Sequence, residues 1–379
     1  MKATDLAGMA NPWSGGVSSG QEDRGVGDAR ALIRSQDKRG WIESPLFDLG
    51  LFTLSPLAGL LVILPVLASP KGLRVFIAAT YLIAIPHYVS SFSFYLGDEN
   101  LAYYRTRRLA FFVGPVLIFI GVMALRLTTM DAIVQSALYV WNVFHVSMQS
   151  AGILALYRRL HGGSLSEGRF ARLALLGVNG TLAFLHIDRF PPIYRNLLRI
   201  HFPVWAIGAA FLSVAVVGLV FYGKSLRRRA KPMRAPELTF LVSSLLLFHP
   251  YLWVRDLDLA TFGMLMGHFL QYLGIVWLLN RRKYAASQGS EHQRLLSSIS
   301  TRTPLLLLAL VSVGLVFYVA QKSSAWLGVP ISYVILWNSL ALVHFYLDGL
   351  IWAFKNPFVR KSIGPYLTPE SHMAVWEGK

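Results

Sequence analysis

Between Leu46 and Phe354 the chain is a succession of apolar segments, most of them near the ~20 residues a helix needs to cross a bilayer core. Ten are delimited, at 47–68, 73–96, 108–126, 132–157, 171–187, 202–223, 236–254, 258–279, 304–321 and 328–354. In hydrocarbon every backbone N–H and C=O must find a partner, and segments of this length do so as helices. The expected fold class is therefore all-α, a polytopic integral membrane bundle of about ten transmembrane helices. Residues 1–44 are rich in Gly, Ser and mixed charge, with no run long enough for a signal peptide, and are expected as a flexible cytoplasmic tail. The helical domain then covers 45–355, and 356–379 form a cytoplasmic C-terminal tail.

Charge tests the segment count independently, because cytoplasmic loops carry the Lys and Arg excess. All but eight of the 36 Lys and Arg residues lie in the N-terminal tail, after segments two, four, six and eight, or after segment ten. The clusters are Arg105/Arg107/Arg108, Arg158/Arg159/Arg169/Arg172, Lys224 to Arg234 and Arg281 to Arg302. This alternation implies an even number of crossings with both termini cytoplasmic, and a multi-pass protein of a bacterial-type inner membrane. The net charge of +17 would point to nucleic acid in a soluble chain. Here 54% of residues are hydrophobic and 15% charged, so the basic stretch KSLRRRAKPMR between two spans is read as a contact for anionic lipid headgroups, with no nucleic-acid partner.

The absence of cysteine excludes disulfides, iron–sulfur clusters, thiolate-ligated haem and a Cys nucleophile. No Gly-rich phosphate loop or Ser-centred nucleophile elbow is present. Chemistry must come from His, carboxylate, amide or hydroxyl groups within or at the edge of the bilayer.

Ionisable groups inside spanning helices are costly and mark functional sites. His87, His145, His268 and His344 fall in segments two, four, eight and ten, which run in the same direction. They lie about 9, 12, 11 and 10 residues from the cytoplasmic ends of their segments, or roughly 14–18 Å deep at 1.5 Å per residue. Four imidazoles are thus expected on one plane near the bilayer centre. Gln149 and Asp348 follow His145 and His344 at i+4, and Gln271 follows His268 at i+3, on the same helix faces. Asp348 is the one acidic residue well inside a hydrophobic segment, where a carboxylate needs a metal, a proton or a cation. Gly152 and Gly274, in two locally similar stretches after His145 and His268, are expected at close helix crossings.

The other histidines divide by place. His249, beside Pro250, is a gate, a supporting group or an interfacial cap; His186 and His201 sit at the outer ends of segments five and six; His161, His292 and His372 are expected as solvated.

Several His with one carboxylate and amides suit a transition metal more than magnesium or calcium, and iron would give oxygen chemistry on an apolar substrate. The expectation is a membrane-embedded metalloenzyme, an oxygenase, desaturase or hydroxylase acting on a lipid or isoprenoid and served by an electron donor. His87, His145, His268 and His344 are the expected ligands, Asp348 the catalytic or orienting carboxylate, and Gln149 and Gln271 the amides that hold the ligands. The chain lacks the HxxxH and HxxHH boxes of membrane fatty-acid desaturases and alkane hydroxylases. Bacterial carotene-cleaving membrane dioxygenases offer an analogous design, with several His on separate spanning helices, and no motif here ties the chain to them. Two other readings stay open: a haem- or quinone-binding electron-transfer subunit, and a proton- or ion-coupled transporter using the histidines and Asp348.

Overall fold

The computed structural model describes residues 40–128, 130–184, 204–285, 289–326 and 332–367, and among these the chain is helical with no strand. In chain order the helices are α1 (Pro45–Thr53), α2 (Ser55–Ala68), α3 (Pro70–Leu96), α4 (Asp98–Arg105), α5 (Leu109–Arg126), α6 (Asp131–Leu160), α7 (Leu165–Phe184) and α8 (Val204–Arg227). After them come α9 (Ala235–Leu246), α10 (Pro250–Trp253), α11 (Leu257–Tyr284), α12 (Glu291–Thr301), α13 (Thr303–Trp326), α14 (Tyr333–Ile351) and α15 (Pro357–Leu367).

Among the described residues six helices are long and apolar enough to cross a membrane, or seven if the bent pair α1–α2 is one span. Their apolarity is sorted inside out. The outward-facing spans in α13, α5 and α8 have mean hydropathies of 2.3, 2.2 and 2.1 with 6%, 22% and 17% of their residues buried. The spans in α11, α3 and α14 are less apolar, at 1.5 each, yet 83%, 56% and 50% buried. A water-soluble protein places its most apolar helix at the centre; here the most apolar helices face outward and the more polar ones pack inside, as a hydrocarbon solvent dictates.

Not all of the ten expected segments form single apolar spans among the described residues, and the local causes are readable. Segment one breaks into α1 and α2, bent by 51°, at Pro56, which has no N–H for the carbonyl of Phe52. Segment seven divides into α9 and α10 because Pro250 cannot donate to Leu246, where α9 ends; the N–H of His249 closes a turn onto that carbonyl instead (2.9 Å). The helices of segments four and five exist as α6 and α7, but His145, Gln149 and Asn142 in the first and Glu167, Arg169 and Arg172 in the second keep them below the apolarity of the six.

Helices α7 and α8 pack as an antiparallel pair. A Cβ on Gly177 would lie 2.2 Å from the backbone N of Ala215, and one on Gly218 would lie 2.3 Å from that of Ala174. Of the two glycines expected at crossings, Gly274 packs on Leu51 and Phe52, whereas Gly152 has open space beside it.

The basic ends of α6 and α11 meet over residues 40–48, so residues 40–44 of the expected tail are packed on the helices. Asp48 accepts from the N–H of Ile42 (2.7 Å) and from Tyr157 Oη (2.7 Å), while Glu43 pairs with Arg281 and Arg282. His161, expected in solvent, is buried: Nδ1 lies 2.8 Å from Glu237 Oε2 and Nε2 lies 3.1 Å from the carbonyl of Gly40, so both ring nitrogens face acceptors. His292 is exposed as expected. Part of the expected C-terminal tail is also folded, because α15 buries Val359, Ile363 and Leu367 and the carbonyl of Tyr366 accepts from Arg282. His186, His201 and His372 lie outside the described residues.

Candidate metal centre

Helix α3 is shaped for its histidine by Pro86. Ahead of it the turn Thr80–Ala84 widens, so that the N–H of Ile85 bonds five residues back to Thr80. A proline ring clashes with the carbonyl four residues before it and offers no N–H, and one wider turn relieves both. The same widening recurs at Leu109–Val113 ahead of Pro115. Helix α11 is drawn in by glycine: a Cβ on Gly59 would lie 2.3 Å from the carbonyl oxygen of Gly263, so α2 and α11 touch backbone to backbone one turn before His268.

The structure brings His87, His145, His268 and His344 together. Ring centroids of His87 lie 4.5 Å from His344 and 4.8 Å from His268, and those of His145 lie 5.0 Å from His268 and 5.2 Å from His344, closing a cycle of four. Four helices, α3, α6, α11 and α14, supply one imidazole each. Phe269 (4.6 Å) and Tyr88 (5.1 Å) pack on His87, and Phe345 (4.4 Å) on His145.

Six buried ring nitrogens in this cycle have no hydrogen-bond partner: both of His87, both of His268, and Nε2 of His145 and His344. A buried donor left unmade costs about 1–3 kcal/mol, and buried side-chain polar atoms are nearly always satisfied. Six together on four rings offer lone pairs that could hold a metal ion. One ligand atom from each of His87, His268 and His344 falls within 4.8 Å of the others, and so does one from each of His145, His344 and Asp348. A triangle with 4.8 Å sides puts each nitrogen at most about 2.8 Å from its centre, against the ~2.0–2.1 Å of a metal–imidazole bond, so inward movements of less than about 1 Å suffice. The donor set could therefore hold a metal ion.

A second tier lies one helical turn further along, and it includes residues the sequence reading passed over. Ser91, Gln149, Tyr272 and Asp348 each follow a site histidine at i+4. Tyr272 Oη donates to Asp348 Oδ1 (2.5 Å), Ser91 Oγ lies 2.9 Å from Tyr272 Oη, 2.9 Å from His344 Nδ1 and 3.3 Å from Asp348 Oδ1, and Trp352 Nε1 donates to Tyr272 Oη (3.3 Å). With Nδ1 of His344 engaged by Ser91, its Nε2 is the nitrogen left for an ion, and Asp348 Oδ2 sits 3.4 Å from it and 3.9 Å from His145 Nε2. Residues and their i+4 neighbours meet in matched pairs across α3, α11 and α14, so these three helices run parallel.

The amides serve the helices around the rings. Gln149 Nε2 donates to the carbonyl of His268 (3.1 Å), which fixes α11 against α6 beside the cluster. Gln271 turns to the break between α1 and α2, donating to Ser55 Oγ (2.8 Å) and to the Phe52 carbonyl (3.3 Å) that Pro56 sets free. Ser55 and Ser243 donate to the same carbonyl. His249 is a cap, with Nδ1 accepting from Trp253 and Nε2 on the Pro56 carbonyl (3.2 Å).

Compared with models of known families, with curated proteins and with solved structures, the chain finds no match.

Proposed function

We propose that this is a membrane-embedded metalloprotein whose centre is a single non-haem transition ion, iron by the chemistry of its donors, and that it oxidises a lipid or isoprenoid chain. The observation that carries this reading is the cycle of four buried histidines from four helices with six unpartnered nitrogens. His87, His268 and His344 would hold the ion, with His145 and Asp348 adjoining it. Bound there, iron would supply redox chemistry with molecular oxygen at a depth where a hydrocarbon chain, not a headgroup, is met. The chain's own residues orient and shield: Ser91 and Tyr272 aim Asp348 and His344, and Phe269, Tyr88 and Phe345 keep water from the rings. Electrons would come from a separate donor. Ten crossings with both termini cytoplasmic, residence in a bacterial-type inner membrane and anionic lipid at the basic loops belong to the same proposal.

A haem is disfavoured, because its macrocycle needs a flat slot between two opposed imidazoles, whereas these rings pack against one another at 4.5–5.2 Å. Proton-coupled transport is the second reading, favoured by the hydrogen-bonded run from Trp352 through Tyr272 and Ser91 to His344; flux in proteoliposomes abolished by Asp348→Asn would select it.

The test is elemental analysis with an optical spectrum after gentle, chelator-free extraction, on wild type and His344→Ala. The expected result is one iron per chain without a Soret band, lost in the variant. Protein free of transition metal overturns the reading.

A further inference from the structure

A second site lies away from the histidines. Where the hairpin α7–α8 reaches the basic side, a pocket of about 630 Å³ opens between residues 162–170 and 221–230. Its polar wall carries Lys224, Arg228 and Arg229, with Ser164 and Ser166 opposite. Arg229 is the fixed floor: its side chain is 3% exposed, Nη1 pairs with Glu237 (2.8 Å) and Glu167 (3.3 Å), and Nε has no hydrogen-bond partner. Glu167 and Glu237 thus share the one guanidinium charge of Arg229, and His161 Nδ1 also lies 2.8 Å from Glu237 Oε2. Lys224 and Arg228 are exposed and form no ion pair among the described residues, and with Arg229 they outnumber the two acids, so the pocket keeps a net positive charge.

The other wall is aromatic. Phe170 and Phe221 stack at 5.2 Å, and the ammonium of Lys224 lies 5.3 Å from the Phe221 ring. Beyond Phe221, α8 presents Val220, Val217 and Val216 outward, each about half exposed, continuing the apolar surface along the helix. The site therefore has two ends of opposite character: free cations and hydroxyls where headgroups lie, and an unbroken apolar face where acyl chains lie.

We infer that this pocket binds the phosphate of an anionic phospholipid, with its chains laid along the outer face of α8. Lys224 and Arg228 would take the phosphate oxygens and the serine hydroxyls the headgroup, as basic pockets between membrane helices do. A free phosphate would use the same cations and leave the apolar face idle; the continuity of the two surfaces selects the lipid. The inference rests on the proposed contact of the basic loops with anionic lipid and on α8 facing the bilayer, and does not depend on the metal centre.

The test titrates phosphatidylglycerol into phosphatidylcholine nanodiscs holding the full chain and counts retained lipids by native mass spectrometry. At about 1 kcal/mol of attraction per basic residue, Lys224→Gln/Arg228→Gln should weaken retention about thirtyfold. Arg105→Gln/Arg107→Gln, on another exposed basic loop, should change it less than about twofold if the effect is not a general surface field. Equal losses in the two variants, or none in the first, overturn the site. Displacement of the retained lipid by millimolar inorganic phosphate assigns the pocket to a soluble phosphate and overturns the lipid.

Discussion

Replacing His87 by leucine should stabilise the metal-free protein and abolish metal binding, a pair of opposite signs that a structural histidine would not give. His87 is fully buried, sits within 5.1 Å of five other rings, and both its nitrogens lack partners. A neutral imidazole has one N–H to satisfy, and leaving it unmade costs about 1–3 kcal/mol. Leucine fills a similar volume with no polar atom, and swaps that conserve volume cost less than about 1.5 kcal/mol. The balance is a gain of up to about 2 kcal/mol without metal, or a rise of several degrees at roughly 2–4 °C per kcal/mol. With metal present, the wild type gains RT ln(1 + [L]/Kd), about 2.7 kcal/mol at a hundredfold excess over Kd, and the variant gains nothing. The assay is thermal unfolding of detergent-solubilised protein, chelated and then reloaded with Fe(II) or Co(II), beside elemental analysis. A variant less stable than wild type when stripped, yet still loading metal, would refute the reasoning.

Tyr272→Phe removes the hydroxyl shared by Asp348, Ser91 and Trp352; metal affinity should fall about 10–100-fold with the fold intact, measured by competition with a chromophoric chelator. Gly40→Ala forces a side chain onto φ +78° and a Cβ to within 2.7 Å of His161 Nε2; circular-dichroism melts should show a loss of about 1–2 kcal/mol. Gly177→Leu drives a branched side chain into the backbone of α8, 2.2 Å from where its Cβ would lie; a loss of about 3 kcal/mol is expected in the same measurement.

The sequence carried a signal for the gathering of the histidines, because each lies at a similar distance from the end of its apolar segment, a coordinate that helices far apart in sequence can share. Partner geometry was less legible. Among the residues after His268 the amide of Gln271 attracts attention by polarity, but at i+3 it swings to the α1–α2 break, and Tyr272 at i+4 enters the site. Tyrosine in a membrane chain reads first as an interfacial residue, and Ser91 carries too little polarity to register. His161 sits on a loop in sequence, and only the return of Gly40 and Glu237 to the end of α6 shows why it is buried. Counting crossings was limited by the residues that give the protein its interior: the polar groups of α6 lower its hydropathy, and Pro56 and Pro250 divide apolar runs that composition alone joins.

The contact between Ser91 and Asp348 spans 257 positions, and this separation sets a timetable for synthesis. At about 5–20 residues per second, the ribosome needs roughly 13–50 s to deliver Asp348 after Ser91 has left it. Through that interval His87, then His145 and His268, stand in the nascent protein without the last wall of their chamber. Until α14 arrives, only two of the three histidines of the candidate triangle are in place, so an ion that the site could hold would meet this donor set complete only in the finished chain.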